Sequence, residues 1–360
     1  MQIPIAKPFI GEEEKQAVMQ VLSSGQLTSG PKVVEFEKAF AAYHDAKHGI
    51  ATSNGTTALM AAMMAHDIGP GDEVIIPSFS FFATASCILS TGARPVFADI
   101  DADTFCLSPE AVEAVITPKT KAIMPVHLYG LPANMTAIEA ICQKHGLILL
   151  EDAAQAHGAA IGKRHVGTWG TASFSFYPTK NMTTTEGGMV LTNDDEIARK
   201  MRMIRAQGMN TQYYHEIVGY NFRLTDMAAA IGLVQLGRLP DWTAARIANG
   251  NYYNTHLESV KVPTVPDDYT HVYHQYTVRV PDGVDRDAVT KKLNDKGIGV
   301  RVYYPLPIHQ QPVFQKMGGY SDLNLPVTEK LTKQVFSLPV YPTLTEEERA
   351  YVVQEVNAAC

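Results

Sequence analysis

The chain has 360 residues, 46% of them hydrophobic, which is ample for a large core and for more than one domain. A formal net charge of −7 argues against nucleic acid or an anionic membrane as a partner, but leaves room for phosphorylated small molecules held by local positive groups. Four scattered cysteines (Cys87, Cys106, Cys142, Cys360) form no disulfide or zinc framework, the first residues carry no apolar leader, and no run is long enough to span a bilayer, so a cytoplasmic protein is expected.

In chain order, a short extended arm leads to an acidic-started helix from Glu12 to about Leu22 and the turn Ser23-Ser24-Gly25. A second helix follows Pro31. From Gly49 onward, short apolar runs alternate with helical segments: Gly49–Thr52, then SNGTTALMAAMMAHDIG, then Glu73–Pro77 and its following helix, ARPVFADID, KAIMPVHLYG and GLILLEDAAQAHG. This βαβα rhythm with continuously apolar strands predicts a mostly parallel sheet covered on both faces. A helix over Met227–Leu239 is expected to give way near Pro240 to a second helical run, from Asp241 to about Leu257. The remainder reads as a strand–helix–strand unit with a terminal helix. The expected division is therefore residues 1–240 as a large domain and 241–360 as a smaller α/β domain.

The chemistry concentrates in TASFSFYPTKNMTTTEGGMVL, Thr171 to Leu191. Two β-rich runs, Ser173–Tyr177 and Gly188–Leu191, flank a polar turn holding one lysine, Lys180. A lone lysine is ordinarily a solvated surface charge. Held at the rim of a core, it loses its proton more easily and becomes a nucleophile toward carbonyls. Upstream, Ser53-Asn54-Gly55-Thr56-Thr57 opens directly into an apolar helix, whose first-turn N–H groups suit a phosphate; from that motif alone an ordinary helix cap is the better reading. Asp152 follows Gly146–Leu150 at the carboxyl end of a strand, the edge where ligands of open α/β sheets collect. It is placed to pair with a pyridinium nitrogen or, more plainly, to cap the next segment, and Gln155 lies within reach of a ring hydroxyl. Glu151 points the opposite way and receives no role. Phe79, Phe81 and Phe82 follow another strand end, as a stacking platform or as core. The pairs His44/His48 and His271/His274 lack companion ligands, so no metal is expected. A phosphate turn, a strand-end aspartate and a strand-end lysine on one edge match the three handles of pyridoxal phosphate.

At this point the sequence resembles the DegT/DnrJ/EryC1/StrS aminotransferases, which act on keto sugars attached to nucleotides. The resemblance rests on SGQLTSGPKVVEFE, SNGTTAL, GPGDEVIIPSFSFFATA, KAIMPVHLYG, EDAAQAHGA, FSFYPTKNMTTTEGGMV, GYNFRLTDMAAAIGLVQL, YYPLPIHQQPVF and SLPVYPTLTEEE, in the family's order and over nearly the whole chain. It implies the α/β type I fold of pyridoxal-phosphate transferases, with a mostly parallel seven-stranded sheet and a smaller C-terminal domain. By position it implies Lys180 as the residue that binds the cofactor aldehyde, Asp152 at the ring nitrogen, Gln155 near the ring hydroxyl and Phe81 stacked on the ring. Gly55, Thr56 and Ser175 would hold the phosphate, joined by Asn221 from the other subunit of a homodimer with shared sites. Arg223, Tyr304 and His309 would lie near the substrate.

Two positions depart from the family pattern: Thr185 stands where glycine is frequent, and Ala228 where glutamine is frequent. The first is expected to bear on the sugar pocket, the second on helix packing. Lysine at 180, where some members have histidine and act as dehydrases, favours transamination. The implied reaction passes the amino group of L-glutamate, leaving 2-oxoglutarate, through pyridoxamine phosphate to a nucleotide-linked keto sugar. A 4-keto-6-deoxyhexose aminated at C4 ranks ahead of C3 amination and of a keto-inositol acceptor. A cofactor-binding regulatory protein is the reading from another class.

Overall fold

The computed structural model describes residues 1–360. Helices α1 (Glu12–Ser24) and α2 (Pro31–Tyr43) precede the first strand. Glu14 turns back to accept the Gly11 N–H at 2.8 Å, and Gly25 ends α1 in the left-handed region (φ 73°), so both ends are satisfied locally. Strands and helices then alternate as β1 (His48–Thr52), α3 (Gly55–Ala65), β2 (Glu73–Pro77), α4 (Ala83–Ser90), β3 (Arg94–Ala98), α5 (Pro109–Val115), β4 (Thr120–Ile123), α6 (Met135–His145) and β5 (Ile148–Asp152). A small ribbon, β6 (Ala160–Ile161) and β7 (Arg164–His165), leads to β8 (Thr171–Ser175), β9 (Gly188–Thr192), α7 (Asp195–Ile204) and α8 (Asp226–His256).

Seven strands form one sheet in the order β1-β9-β8-β5-β4-β2-β3. β8, β5, β4, β2 and β3 are mutually parallel, whereas β9 runs antiparallel to both of its neighbours. Parallel strands need a long crossover, and the segment between β8 and β9 contains no helix, so β9 returns in the opposite sense. Val74, Ile75 and Ile76 are all buried, because helices cover both faces and leave no strand side for water. The parallel strands send their carboxyl ends to one edge, which places the end of β5 (Asp152) beside that of β8 (Ser175).

Below that edge lies an aromatic nest. Phe40 meets Phe174 and Phe36 meets Phe176 at ring separations of 5.1 and 5.2 Å, and all four rings are buried. Each such burial stabilises the fold by roughly 1.5–3 kcal/mol. Phe176 therefore anchors the chain just before the lysine turn. The strand itself stops at Ser175, and Tyr177 is exposed rather than part of the run.

The expected break near Pro240 does not occur: α8 is continuous across it. The missing N–H and the ring clash of an internal proline cost about 3 kcal/mol. Tertiary contacts hold both halves in place against that cost. Leu236 and Leu239 join the large core before the proline. After it, Arg246 and Asn249 donate to the Tyr273 and Tyr341 carbonyls (both 3.1 Å), and Tyr253 enters a second core.

That second core gathers Tyr276, Leu293, Phe336, Val352 and Val356, around an antiparallel pair of strands, Tyr276–Arg279 and Val335–Leu338, and helices Arg286–Asp295 and Glu346–Ala359. The stretch GVRVYYP makes only a bridge at Arg301 to Ser337 before it turns to the large sheet. Ile308, Phe314 and Tyr320 pack there beside Ile88 and Phe97.

Candidate active site

A cavity of about 820 Å³ opens at the carboxyl edge of the sheet. That is within the range of small-molecule sites. Its floor is set by the start of α3 and the end of β8. Asn54 caps α3: its Oδ1 accepts the Thr57 N–H at 2.9 Å, while the Thr57 hydroxyl accepts the Asn54 N–H at 3.1 Å. The N–H groups of Gly55 and Thr56, in the first turn, have no intrahelical acceptor and form the positive end of the helix dipole. A Cβ at Gly55 would lie 2.7 Å from the Ser175 Cβ, so glycine alone lets the helix start press against the strand end. Gly55, Thr56 and Ser175 line the cavity together.

Asp152 is buried at the end of β5. Its Oδ2 accepts the Thr84 hydroxyl proton at 2.7 Å and its Oδ1 accepts the Ala154 N–H at 3.2 Å. Burial raises its pKa above the usual carboxylate value, against the opposing pull of Thr84, the Ala154 N–H and Lys180. Glu151, one residue earlier, faces the other side as expected. It is wholly buried and accepts the N–H groups of Gly167, Trp169 and Gly170, at 2.9–3.0 Å, and of His127 at 3.1 Å.

Lys180 sits on a turn pinned from three sides. Its N–H donates to the Tyr177 carbonyl at 2.9 Å, Asn181 donates to the Val272 carbonyl at 3.0 Å, and the Thr183 hydroxyl donates to the Phe176 carbonyl at 2.8 Å. Burial lowers the lysine pKa to about 8, with Asp152 pulling the other way. A solvated surface lysine would show no such displacement. Lys180 lines the same cavity as the α3 cradle.

Gln155 is buried and fixed, its Oε1 accepting the Tyr129 N–H at 2.8 Å and its Nε2 donating to the Tyr304 hydroxyl at 3.3 Å. Phe81 stands at the rim, 58% exposed, with its ring 6.1 Å from that of Tyr304. Both line the cavity, as do Glu186, Tyr177 and Tyr303, which sequence reasoning did not single out, and His274, which it considered only as a metal ligand and set aside. His274 is buried with Nδ1 unpartnered, and burial pushes its pKa well below the ordinary histidine value. Nothing local in the sequence marks Thr84 or His274 as neighbours of Asp152 or Lys180, because the sheet brings them together from distant segments.

Arg223 and His309, expected near the substrate, are not among the residues that line this cavity, and neither is Asn221, which was expected from the other subunit. Asn221 is exposed and bridges to Ala206, and Arg223 lies two residues further along the same segment. His309 is 1% exposed, with Nδ1 2.7 Å from the Ser78 hydroxyl and Nε2 3.4 Å from Glu329. It fastens the 308–310 turn to the end of β2 and has no face toward the cavity. Thr185 adopts φ 72°, the left-handed region that glycine prefers, immediately before the cavity-lining Glu186. Ala228 is buried in the core beneath the start of α8, a packing position.

A cradle of N–H groups with a hydroxyl, a buried carboxylate and an amine of lowered basicity fit, as a donor set, a phosphate, a protonated ring nitrogen and an aldehyde. The fold and this set define an aminotransferase of the type I class. The model of the DegT/DnrJ/EryC1/StrS aminotransferase family matches residues 8–357, and the chain belongs to that family of sugar-nucleotide aminotransferases. It is 47% identical over 356 residues to a pleiotropic regulatory protein of Geobacillus stearothermophilus, covering 96% of this chain and 95% of the relative. It is 41% identical over 350 residues to a UDP-N-acetyl-3-dehydro-alpha-D-glucosamine 3-aminotransferase of Acidithiobacillus ferrooxidans, covering 96% and 93%. The crystal structure of NtdA from Bacillus subtilis with bound cofactor PMP superposes with a TM-score of 0.90 at 34% identity, over 97% of this chain and 82% of that one.

Proposed function

We propose that the chain moves the amino group of L-glutamate, by way of pyridoxal and pyridoxamine phosphate, to the ketone of a nucleotide-linked sugar. The observation that carries this reading is the half-buried Lys180, its pKa lowered to about 8, lining one cavity with the buried Asp152 and the α3 cradle. When bound, the cofactor supplies an aldehyde that accepts an amine and a ring that withdraws electrons from the reacting carbon. The protein's part is to hold charges and protons in place. The Gly55 and Thr56 N–H groups with the Ser175 hydroxyl would hold the phosphate, joined by Asn221 of the partner subunit in a homodimer. Asp152, oriented by Thr84 and Ala154, holds a proton on the ring nitrogen. Gln155, fixed by Tyr129, reaches the ring hydroxyl. Phe81 covers a ring face and excludes water. Lys180, neutral in a useful fraction near neutral pH, would hold at Nζ the proton that is moved during the transfer.

For the sugar, Tyr304 contributes from the cavity wall, and Arg223 of the partner subunit would supply a cation for the diphosphate across the dimer interface. His309 is reassigned to packing, because it is buried against Ser78. The division into residues 1–240 and 241–360 belongs to the same proposal, supported by the separate core around Tyr253, Tyr276 and Phe336. So does a cytoplasmic setting, where nucleotide sugars are available.

A 4-keto-6-deoxyhexose aminated at C4 is the leading acceptor, on the form of the GYNFRLTD segment. Amination at C3 is the second reading, favoured by the relative named as a 3-aminotransferase. The test is incubation of the cofactor-loaded protein with ¹⁵N-glutamate and a panel of UDP-, GDP- and dTDP-linked 4-keto and 3-keto sugars. Mass spectrometry should find ¹⁵N in one product, with none for Lys180→Ala, and NMR then assigns the carbon. Label in a keto-inositol offered alongside the panel, or in no sugar nucleotide of the panel, overturns the acceptor assignment.

A further inference from the structure

A second cavity shares Thr179 and Lys180 with the first. It lies between the N-terminal arm, the lysine turn and the half of α8 beyond Pro240. Its space, about 30 Å³, admits roughly two water-sized atoms, as many as the oxygens of one carboxylate. Three of its lining side chains are basic, Lys7, Lys180 and Arg246, and none is acidic.

Arg246 is the unusual member. It is 7% exposed, yet it makes one hydrogen bond, from Nη1 to the Tyr273 carbonyl at 3.1 Å, and its buried Nε has no partner. No carboxylate lies within ion-pair distance of it. Glu14, across Gln235, is occupied by Gln235 at 2.7 Å and Arg238 at 3.0 Å. Lys7 is likewise free of any carboxylate and rests 6.0 Å over the Tyr341 ring. A guanidinium retained for structure is normally paired or fully hydrogen-bonded when buried, because an isolated buried charge is costly. Its planar fork matches the two oxygens of a carboxylate. A phosphate would need more room than this space offers.

We propose that Arg246, aided by Lys7, seats one carboxylate of the amino donor, so that a dicarboxylic amino acid is held beside Lys180 with its amine toward the main cavity. The proposal rests on the glutamate-dependent reading above and deepens it, since it makes donor choice depend on a residue of α8. Arg246 is here a binding residue, with no part in proton transfer.

The experiment uses cofactor-loaded protein and glutarate, a dicarboxylate with no amine. Calorimetry measures glutarate binding, and stopped-flow absorbance measures the half-reaction with L-glutamate. Glutarate should bind wild type and compete with glutamate. In Arg246→Met the glutarate dissociation constant and the half-saturating glutamate concentration should both rise on the order of 30-fold or more, with the limiting rate within about 3-fold. Arg246→Lys should recover part of the loss, and Lys7→Gln, on the arm, should weaken glutarate by roughly 3- to 10-fold. A wild type that converts glutamate but ignores glutarate overturns the proposal, as does a folded Arg246→Met with unchanged glutamate dependence. If Arg246→Met does not fold, an unchanged glutarate constant in Lys7→Gln overturns it instead. Arg246-dependent glutarate binding without any glutamate half-reaction supports the carboxylate seat and removes glutamate as the donor.

Discussion

The lowered basicity of Lys180 has a direct chemical consequence, because the neutral amine is the nucleophile. With a pKa of about 8 instead of 10.5, the neutral fraction at pH 7.5 is about one quarter instead of about one in a thousand, a gain of roughly 200-fold. Burial is the cause, and Asp152 moderates it by favouring the ammonium form. Cofactor-free protein labelled with trace acetic anhydride from pH 6 to 11, with the Lys180 peptide quantified by mass spectrometry, reads this value directly. The midpoint should fall near 8, while exposed lysines titrate near 10.4. Asp152→Asn removes the opposing charge and should move the midpoint further down. Since the folded-state pKa lies below the unfolded one, this lysine contributes stability that is fully present above about pH 10.5 and is lost as pH falls through about 8. A labelling midpoint at 10 or above, or an upward shift in Asp152→Asn, would refute the reasoning.

Three other outcomes follow from the geometry. Glu151→Gln should cost on the order of 2–4 kcal/mol by denaturant unfolding, since a buried carboxylate holding three backbone N–H groups and His127 is exchanged for an amide that cannot accept them all. Burial alone would raise the Glu151 pKa, but His127 and those N–H groups hold it below the usual value, so its contribution is present above the unfolded carboxylate pKa and lost as pH falls through the lower folded one; a wild-type acid limb identical to that of Glu151→Gln would contradict this. Thr185→Gly should raise stability by roughly 0.5–1 kcal/mol, because a β-branched residue at φ 72° is strained where glycine is not; an unchanged or lower denaturation midpoint counts against it. Gly55→Ala should weaken pyridoxal phosphate binding by about 10-fold or more, measured by fluorescence titration, as its methyl displaces Ser175 from the cradle; unaltered affinity would mean that the cradle is not the phosphate site.

Local sequence determined a good deal. Continuous apolar runs between helical segments specify a parallel sheet, because strands covered on both faces have no polar side to display. Strand ends at Asp152 and near Lys180 were readable for the same reason, since chemistry in such sheets gathers at the carboxyl edge. The long motifs from SGQLTSG to SLPVYPT identify the family without reference to any contact. Tertiary structure decided the rest. Pro240 should interrupt a helix, yet contacts on both sides of it keep α8 whole. His309 reads as a substrate ligand beside YYPLP, but its turn folds inward against Ser78. Thr84 and Asp152 are 68 positions apart, and only the sheet order sets the hydroxyl 2.7 Å from the carboxylate. Arg246 looks like any solvated helix arginine until the arm and the lysine turn close over it and leave its Nε without a partner. A local pattern specifies which faces must be buried, whereas the partners met in burial depend on the whole chain's path.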